Sequence, residues 1–390
     1  MALTPPRPKV NPWLRPLSWL YGLGVGLRNG MFDAGLLRET AFDVPLICVG
    51  NLTVGGTGKT PHSEYIVRLL LQGGHDVALL SRGYKRKTQG WQMADEQSTA
   101  DDIGDEPFQI HRKYPQARVA VDADRRQGIA MLLRQTPPPE CIVLDDAFQH
   151  RYVKAGLNIL LTDFNRLYVD DALLPAGRLR EPARGRRRAQ VVIVTKCPPG
   201  LSLDDCRLIR RKLHLGADQN AFFTSMTYGT PYALFTDAET GETGRLTEIT
   251  ERLTGNPVAV TEKTEALAAW GTTPPDSLLA ISGIARPEPF FLHARTLCPT
   301  ASTLAYPDHH AFRPADLVHI DRALAALDGP RRRILTTEKD AARLLHAPGL
   351  TPAVRAALFV QPIDIRFLHD EASMFNDIIF RYVRDYQRNR

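Results

Sequence analysis

In the segment Gly50-Asn51-Leu52-Thr53-Val54-Gly55-Gly56-Thr57-Gly58-Lys59-Thr60, small residues lead into a lysine and a threonine. Such a loop, set between an apolar strand and an amphipathic helix, turns successive backbone N–H groups onto phosphate oxygens. Gly55, Gly56, Thr57 and Gly58 would form the cradle. Lys59 would bring a positive charge to the β- and γ-phosphates of ATP, and the Thr60 hydroxyl would ligate Mg²⁺. One position departs from the pattern: five residues before Gly58, where the first glycine usually stands, the chain has Thr53.

A second chemical signal is the pair Asp145 and Asp146, directly after the apolar run 141–144. Carboxylates at the C-terminal end of a strand beside a phosphate loop are placed to hold Mg²⁺ or its waters. Two adjacent aspartates are costly to bury unless a cation compensates them. A third is the run 178–188, with six arginines against one glutamate, suited to neutralising a transferring phosphate or to meeting substrate phosphate and lipid headgroups.

These residues need a scaffold of parallel strands, and the chain supplies one. Short β-branched runs at 46–49, 77–80, 119–121, 141–144, 159–162 and 191–195 alternate with helical patterns. Their continuous apolar character suits strands buried on both faces. The alternation weakens near Phe222, and a polar Gly- and Thr-rich stretch follows. A second α/β unit is expected from 278–282, a helix near 289–296, strands at 334–336 and 359–365, and a closing amphipathic helix over 371–388. The organisation predicted is an N-terminal segment 1–37, a P-loop domain 38–225 and a smaller C-terminal α/β domain 226–390, with an insertion at 237–275. The fold class is α/β, a P-loop NTPase-type parallel sheet flanked by helices.

At 390 residues, with 43% apolar and 24% charged residues, the chain has the composition of a two-domain globular protein. Its net charge of +6 points to an anionic partner. No RNA- or DNA-binding motif accompanies that charge, so specific nucleic-acid recognition is not expected. The five cysteines are scattered without zinc-ligand spacing and read as reduced core thiols. Near the N-terminus the longest uncharged run, 16–27, is too short to cross a bilayer, and no small-residue cleavage site of a signal peptide follows it. Trp13, Leu17, Leu20, Tyr21 and Gly24 share one helical face, with arginines beside them. Two readings of that helix stand: it lies in the plane of a membrane surface, or it packs on the protein's own core.

The segments 50–61, Ser81-Arg82-Gly83-Tyr84, Gly104-Asp105-Glu106-Pro107 and 145–151 occur in order, followed by Leu174-Pro175-Ala176-Gly177-Arg178-Leu179-Arg180-Glu181-Pro182, Tyr306-Pro307-Asp308-His309-His310 and Thr336-Thr337-Glu338-Lys339-Asp340. Together they resemble the tetraacyldisaccharide 4'-kinase family over nearly the whole chain; 237–275 is the part that does not align. The resemblance implies transfer of the ATP γ-phosphoryl to the 4'-hydroxyl of a tetraacyl glucosamine disaccharide 1-phosphate, in lipid A biosynthesis, by a peripheral protein at the cytoplasmic face of the inner membrane. It implies Asp105 as catalytic base assisted by His309, Glu106 beside Asp146 at the metal, and Arg180 and Glu181 as site members. Arg82, Tyr84 and His150 would face the substrate. The competing expectation is a membrane-associated P-loop switch ATPase with no small-molecule acceptor. Such proteins carry a lysine just before the paired glycines, where this chain has Val54.

Overall fold

The computed structural model describes residues 4–235, 270 and 274–388. The stretch 237–275 therefore lies almost wholly outside the described residues. All six apolar runs expected as first-domain strands are strands, and each is buried along nearly its whole length. They are β1 (Leu46–Asn51), β2 (Val77–Ser81), β4 (Arg118–Val121), β5 (Cys141–Asp145), β6 (Leu157–Asp163) and β7 (Val191–Thr195). The short β3 (Gln92–Met93) and the longer β8 (Asn220–Tyr228) join them.

In space the nine-stranded sheet runs β14-β8-β7-β6-β1-β5-β2-β4-β3, where β14 is Ile363–Phe367. Only the two edge strands, β3 and β14, are antiparallel to their neighbours. The phosphate-loop strand β1 thus sits mid-sheet between β5, which ends in Asp145, and β6. Helices α2 (Lys59–Gln72), α3 (Ala100–Ile103), α4 (Asp105–Lys113), α5 (Arg125–Leu133) and α6 (Leu203–Lys212) follow the strands as crossovers or caps. Two apolar clusters, one on each face of the sheet, hold them there.

The second sheet has order β11-β10-β12-β13-β9, with β9 (Tyr232–Ala233), β10 (Ser277–Ser282), β11 (Ser302–Ala305), β12 (Arg332–Thr337) and β13 (Leu358–Gln361). Among the described residues, helices α7 (Glu288–Leu297), α8 (Pro314–Ala325), α9 (Glu338–Leu344) and α10 (Pro352–Ala357) accompany it. Ile103, Phe108 and Val121 from the first unit share one apolar core with Ile281, Leu317 and Ile334 from the second, so the two sheets are joined by buried side chains.

The C-terminus departs from the expectation. The apolar run 359–365 is not one strand: it divides at Pro362 into β13, in the second sheet, and β14, which returns to the first sheet and pairs antiparallel with β8. Proline has no N–H for a ladder and interrupts the run there. The closing helix α11 (Ala372–Arg388) buries Phe375, Ile379 and Val383 in the first-sheet core. Residues 363–388 thus belong structurally with the first sheet, and β8 carries that sheet past residue 225.

At the other end, α1 (Arg15–Asp33) docks by a narrow face of Ser18, Asn29 and Phe32. The Ser18 hydroxyl donates to the Leu173 carbonyl at 2.9 Å, and Tyr21 donates to the Arg180 carbonyl at 2.7 Å. Close approach needs a small residue at Gly22, where a Cβ would fall 2.6 Å from Leu173 Cδ1. The opposite face is bare: Trp13 is 89% exposed, Trp19 75% and Leu20 68%. Among the described residues no helix is long and apolar enough to cross a membrane.

Candidate active site

The loop 52–58 carries β1 into α2, and Gly58 takes φ +86° as it enters the helix, a conformation that disfavours side chains. Thr53 occupies an extended position, bridging antiparallel to Leu179, while the Val54 N–H donates to the Arg178 carbonyl at 2.8 Å. That pairing explains why a threonine stands where the usual loop has glycine: the backbone is strand-like, and Thr53 is buried. Asn51 Nδ2 donates to Thr57 Oγ1 at 2.7 Å, and the Lys196 ammonium reaches the Gly56 carbonyl and Asp163, tightening the loop from the β7 side.

The sequence-predicted residues Lys59, Arg180 and Asp146 converge. Lys59 Nζ lies 3.5 Å and Arg180 Nη1 3.6 Å from the same carboxylate oxygen of Asp146. Neighbouring Asp145 is fully buried, accepting from Ser63 Oγ at 2.8 Å and Ser81 Oγ at 3.4 Å. Burial, reinforced by the negative charges of Glu106 and Asp146, pushes its carboxyl up to about 6. Asp146 Oδ1 and Arg180 Nε are buried without a hydrogen-bond partner. Strained acid pairs and orphaned polar atoms of this kind fit a site built for Mg²⁺ and phosphate. No cluster of three His, Cys, Asp or Glu side chains of metal-site geometry exists among the described residues. Mg²⁺ would therefore draw on Thr60, Asp145 or Asp146, phosphate oxygens and water, its usual mixture.

Asp105 begins α4, at the end of the Gly104 turn, where φ of +91° and a Cβ position 3.1 Å from the Tyr84 carbonyl require glycine. Asp105 Oδ2 accepts from His309 Nδ1 at 2.8 Å. Arg343 Nε donates to Asp105 Oδ1 at 3.1 Å, and Arg343 Nη2 reaches Oδ2. Burial alone would raise the Asp105 carboxyl, but the hydrogen bonds and charges of His309 and Arg343 overcome it and hold the group at about 2. On the far side of the imidazole, Lys339 Nζ lies 3.2 Å from His309 Nε2. The union of Asp105 and His309, 204 residues apart, crosses from the first unit to the second.

The remaining expected site residues fall in different places. Glu106 faces the acid pair and lies 3.6 Å from Lys339. Tyr84 is exposed and meets the His309 ring edge-on at 5.5 Å between centroids; Arg82 is exposed beside it. Glu181 does not face an open cleft. It is buried and saturated, taking both Arg188 nitrogens at 2.9 and 3.0 Å, Gln149 at 3.1 Å and Asn29 of α1 at 3.3 Å. A lone acid among arginines at 178–188 is here the pin of that cluster and of α1. His150 packs toward Tyr152 and Asp124, and burial with nearby Arg125 pulls its imidazole down to about 4.

Sequence reasoning did not single out Arg343, Lys339, Lys196, Ser63 or His62. His62 is buried and neutral, lowered by burial to about 4, and links the Gly58 carbonyl at 2.7 Å to Thr224 at 3.0 Å. For Lys339 a signal was present. In Thr337-Glu338-Lys339-Asp340, Thr337 caps α9 by accepting from the Asp340 N–H, and Lys339 meets His309. Asp340 accepts from the Gly283 N–H at 2.9 Å and from Arg343 Nη1 at 3.1 Å.

A mid-sheet strand feeding a glycine-rich loop into a helix N-terminus, with acids at the end of the adjacent strand, defines a P-loop nucleotide-dependent α/β protein. A family model for the tetraacyldisaccharide-1-P 4'-kinase, LpxK, matches residues 10–382. The tetraacyldisaccharide 4'-kinase of Bacteroides fragilis is 46% identical over 385 residues, covering 98% of this chain and 95% of that protein. That of Bacteroides thetaiotaomicron is 44% identical over 382 residues, with coverages of 98% and 95%. The crystal structure of the "apo" form of LpxK from Aquifex aeolicus in complex with ATP superimposes with a TM-score of 0.64 at 25% identity, covering 95% of this chain and 98% of that one. The chain belongs to the tetraacyldisaccharide 4'-kinase family.

Proposed function

We propose that this chain transfers the γ-phosphoryl group of ATP to the 4'-hydroxyl of a tetraacyl disaccharide 1-phosphate, with Asp105 as the acceptor of the hydroxyl proton. The observation that carries the reading is the meeting of two clusters. One, Lys59, Arg180 and the acid pair, is suited to Mg²⁺-bound phosphates; the other, Asp105 and His309, is suited to a hydroxyl. Glu106, next to Asp105 on α4, is close enough to Asp145 to raise its carboxyl, so the clusters adjoin.

In the reaction the 4'-oxygen bonds to the γ-phosphorus as the bond from phosphorus to the β,γ-bridging oxygen breaks, and ADP leaves. Lys59 and Arg180 neutralise charge on the moving phosphoryl group, and the loop N–H groups hold the β-phosphate. Thr60 with Asp145 or Asp146 would hold Mg²⁺, which would supply positive charge to offset that of the phosphate oxygens. The hydroxyl proton passes to Asp105, which is ionised throughout the physiological range. A carboxylate held at about 2 is a weak base, yet in a loose transition state the proton is lost late and orientation counts for more than basicity. His309 and Arg343 supply the orientation.

The bare apolar side of α1 supports peripheral attachment to the cytoplasmic face of the inner membrane, with Trp13, Trp19, Leu20, Leu23 and Leu27 entering the headgroup region. Incubation with γ-labelled ATP, Mg²⁺ and the disaccharide 1-phosphate lipid should place the label on the lipid. ATP hydrolysis that leaves the lipid unlabelled would sink the kinase reading in favour of a switch ATPase.

A further inference from the structure

Among the described residues six lysines face carboxylates within 4.0 Å, and they divide into two kinds. Lys87, Lys113, Lys196 and Lys212 each close onto an acid at 2.7 to 3.0 Å. Lys59 and Lys339 stand off: Lys59 is 3.5 Å from Asp146, and Lys339 is 3.6 Å from Glu106 and 3.8 Å from Asp308. These separations exceed hydrogen-bond reach. In Lys59 the stand-off has a reason, since its charge faces the phosphates of the nucleotide. Lys339 repeats the pattern on the second unit, in a side chain only 20% exposed. Its acids are each more than a third exposed, so if the ammonium turned away neither would be left buried and unpaired.

The local structure makes the position of Lys339 deliberate. It is the second residue of α9, where a cation opposes the helix dipole. The turn beneath it is held firmly: Thr337 accepts from the Asp340 N–H, and the buried Asp340 carboxylate takes the Gly283 N–H and Arg343. The stem of Lys339 is thereby fixed while its flexible end stays mobile. That end points into the meeting of the two clusters. On one side His309 Nε2, at 3.2 Å, leads to Asp105; on the other Glu106 leads to Asp145, whose carboxyl it helps to raise. Asp146 follows, with Lys59 and Arg180 around it. A phosphoryl group passing from ADP to a hydroxyl held by Asp105 must cross this gap, and its charge is spread over three equatorial oxygens. Lys59 and Arg180 serve the nucleotide side; Lys339 is the cation on the acceptor side.

We propose that Lys339 is a catalytic residue: its ammonium leaves Glu106 and Asp308 and donates a hydrogen bond to an oxygen of the γ-phosphoryl group in transit, a charge delivered from the second unit. The inference rests on the kinase reading above. Lys339 stays protonated throughout, so the proton balance is unchanged and the hydroxyl proton still passes to Asp105.

The test compares Lys339→Met, Lys339→Arg and Lys339→Cys, the last before and after treatment with 2-bromoethylamine, which rebuilds an ammonium on the sulfur. The five native thiols are buried, which directs the reagent to position 339. Lys339→Met should lower kcat by about 10² to 10³, the loss expected for one charge-stabilising donor, and leave KM for the lipid unchanged. Aminoethylated Lys339→Cys should recover most of the rate that untreated Lys339→Cys lacks, and Lys339→Arg should keep part of it. With the acceptor lipid present, ADP with Mg²⁺ and aluminium fluoride, a mimic of the moving phosphoryl group, should bind Lys339→Met about tenfold to a hundredfold more weakly than wild type. ADP alone should bind both equally. Adding His309→Ala should multiply the loss, because the two side chains serve different atoms. If Lys339 only positions His309, the loss will vanish in the His309→Ala background and the fluoride complex will bind as in wild type; either result overturns the proposal. So does a Lys339→Met variant with wild-type kcat, or a folded, aminoethylated protein that recovers nothing. If Lys339→Met melts below the assay temperature, untreated Lys339→Cys takes its place in each comparison. A wild-type protein that never labels the lipid would instead overturn the kinase reading, and this role with it.

Discussion

Asp145 shows what the site demands of single residues. Its carboxyl sits at about 6 in the folded protein against 3.8 when free, because burial and two neighbouring acids oppose its charge. Between those values the folded state binds the proton that the unfolded state has lost. Stability of the metal-free protein therefore falls as pH rises from about 4 to about 6, by on the order of 3 kcal/mol, and the penalty persists above pH 6. Asp145→Asn should accordingly raise the Tm of the metal-free protein at pH 7.5 and flatten its change between pH 4 and 6, while removing activity. A lowered Tm would show that Asp145 is a structural acid rather than a metal-poised one. Mg²⁺ should also be needed at higher concentration at pH 5.5 than at 7.5, since protons compete for Asp145. At Asp105 the sign is opposite: held at about 2, it stays ionised across this range, so its removal should leave no new acidic limb in the rate profile. Asp105→Ala should lower kcat by about 10² to 10⁴ with little change in ATP affinity. Because His309 acts through Asp105, adding His309→Ala should cost far less than the product of the two single losses, as single-turnover rates of the three variants would reveal. Multiplicative losses would assign the two residues separate tasks.

Among the elements, α1 has the most unusual balance, docked through Ser18, Asn29 and Phe32 and open to solvent on its apolar side. The periodicity of Trp13, Leu17 and Leu20 marked an amphipathic helix but left open which way it faced. The answer is set by partners distant in sequence: the Leu173 carbonyl that takes Ser18, and Glu181, which takes Asn29. Trp19→Ser/Leu20→Ser/Leu23→Ser removes no buried contact, so the unfolding free energy should move by less than about 1 kcal/mol. Sedimentation with anionic vesicles should drop sharply, and KM for the lipid should rise while KM for ATP does not. Vesicle binding equal to wild type would remove the membrane role of this face. By contrast Gly22→Val, on the docked side, drives a side chain into Leu173 and should loosen the helix itself, detectable as earlier amide exchange over 15–33.

The whole molecule is tied together at a buried ion cluster. Lys113, at the end of α4, donates to Glu338 of α9 at 2.8 Å and pairs with Glu64 of α2, whose other contacts include the Tyr114 hydroxyl at 3.0 Å. Burial would pull the Lys113 ammonium down, but the two carboxylates hold it well above its ordinary value. Lys113→Met would leave two carboxylates facing each other without a cation, at a cost of about 3 to 5 kcal/mol. Because α4 starts with Asp105 and α9 carries Lys339 and Arg343, the same variant should lower kcat at temperatures where it remains folded; thermal melts paired with assays well below Tm would separate the effects. Local pattern alone was enough for the phosphate loop, the six buried strands, the acid pair at the end of β5 and the amphipathic character of both terminal helices. These follow from residue types within a dozen positions of one another, through propensity, periodicity and the demands of a glycine-rich turn. The tertiary structure alone decided that Arg343 and Lys339 complete the Asp105 and His309 pair, that Glu181 is a buried pin, and that β14 and α11 leave the second sheet for the first. Each of these depends on contacts between segments tens to hundreds of residues apart, whose pairing is settled by the packing of both sheets into one core and leaves no trace in local pattern.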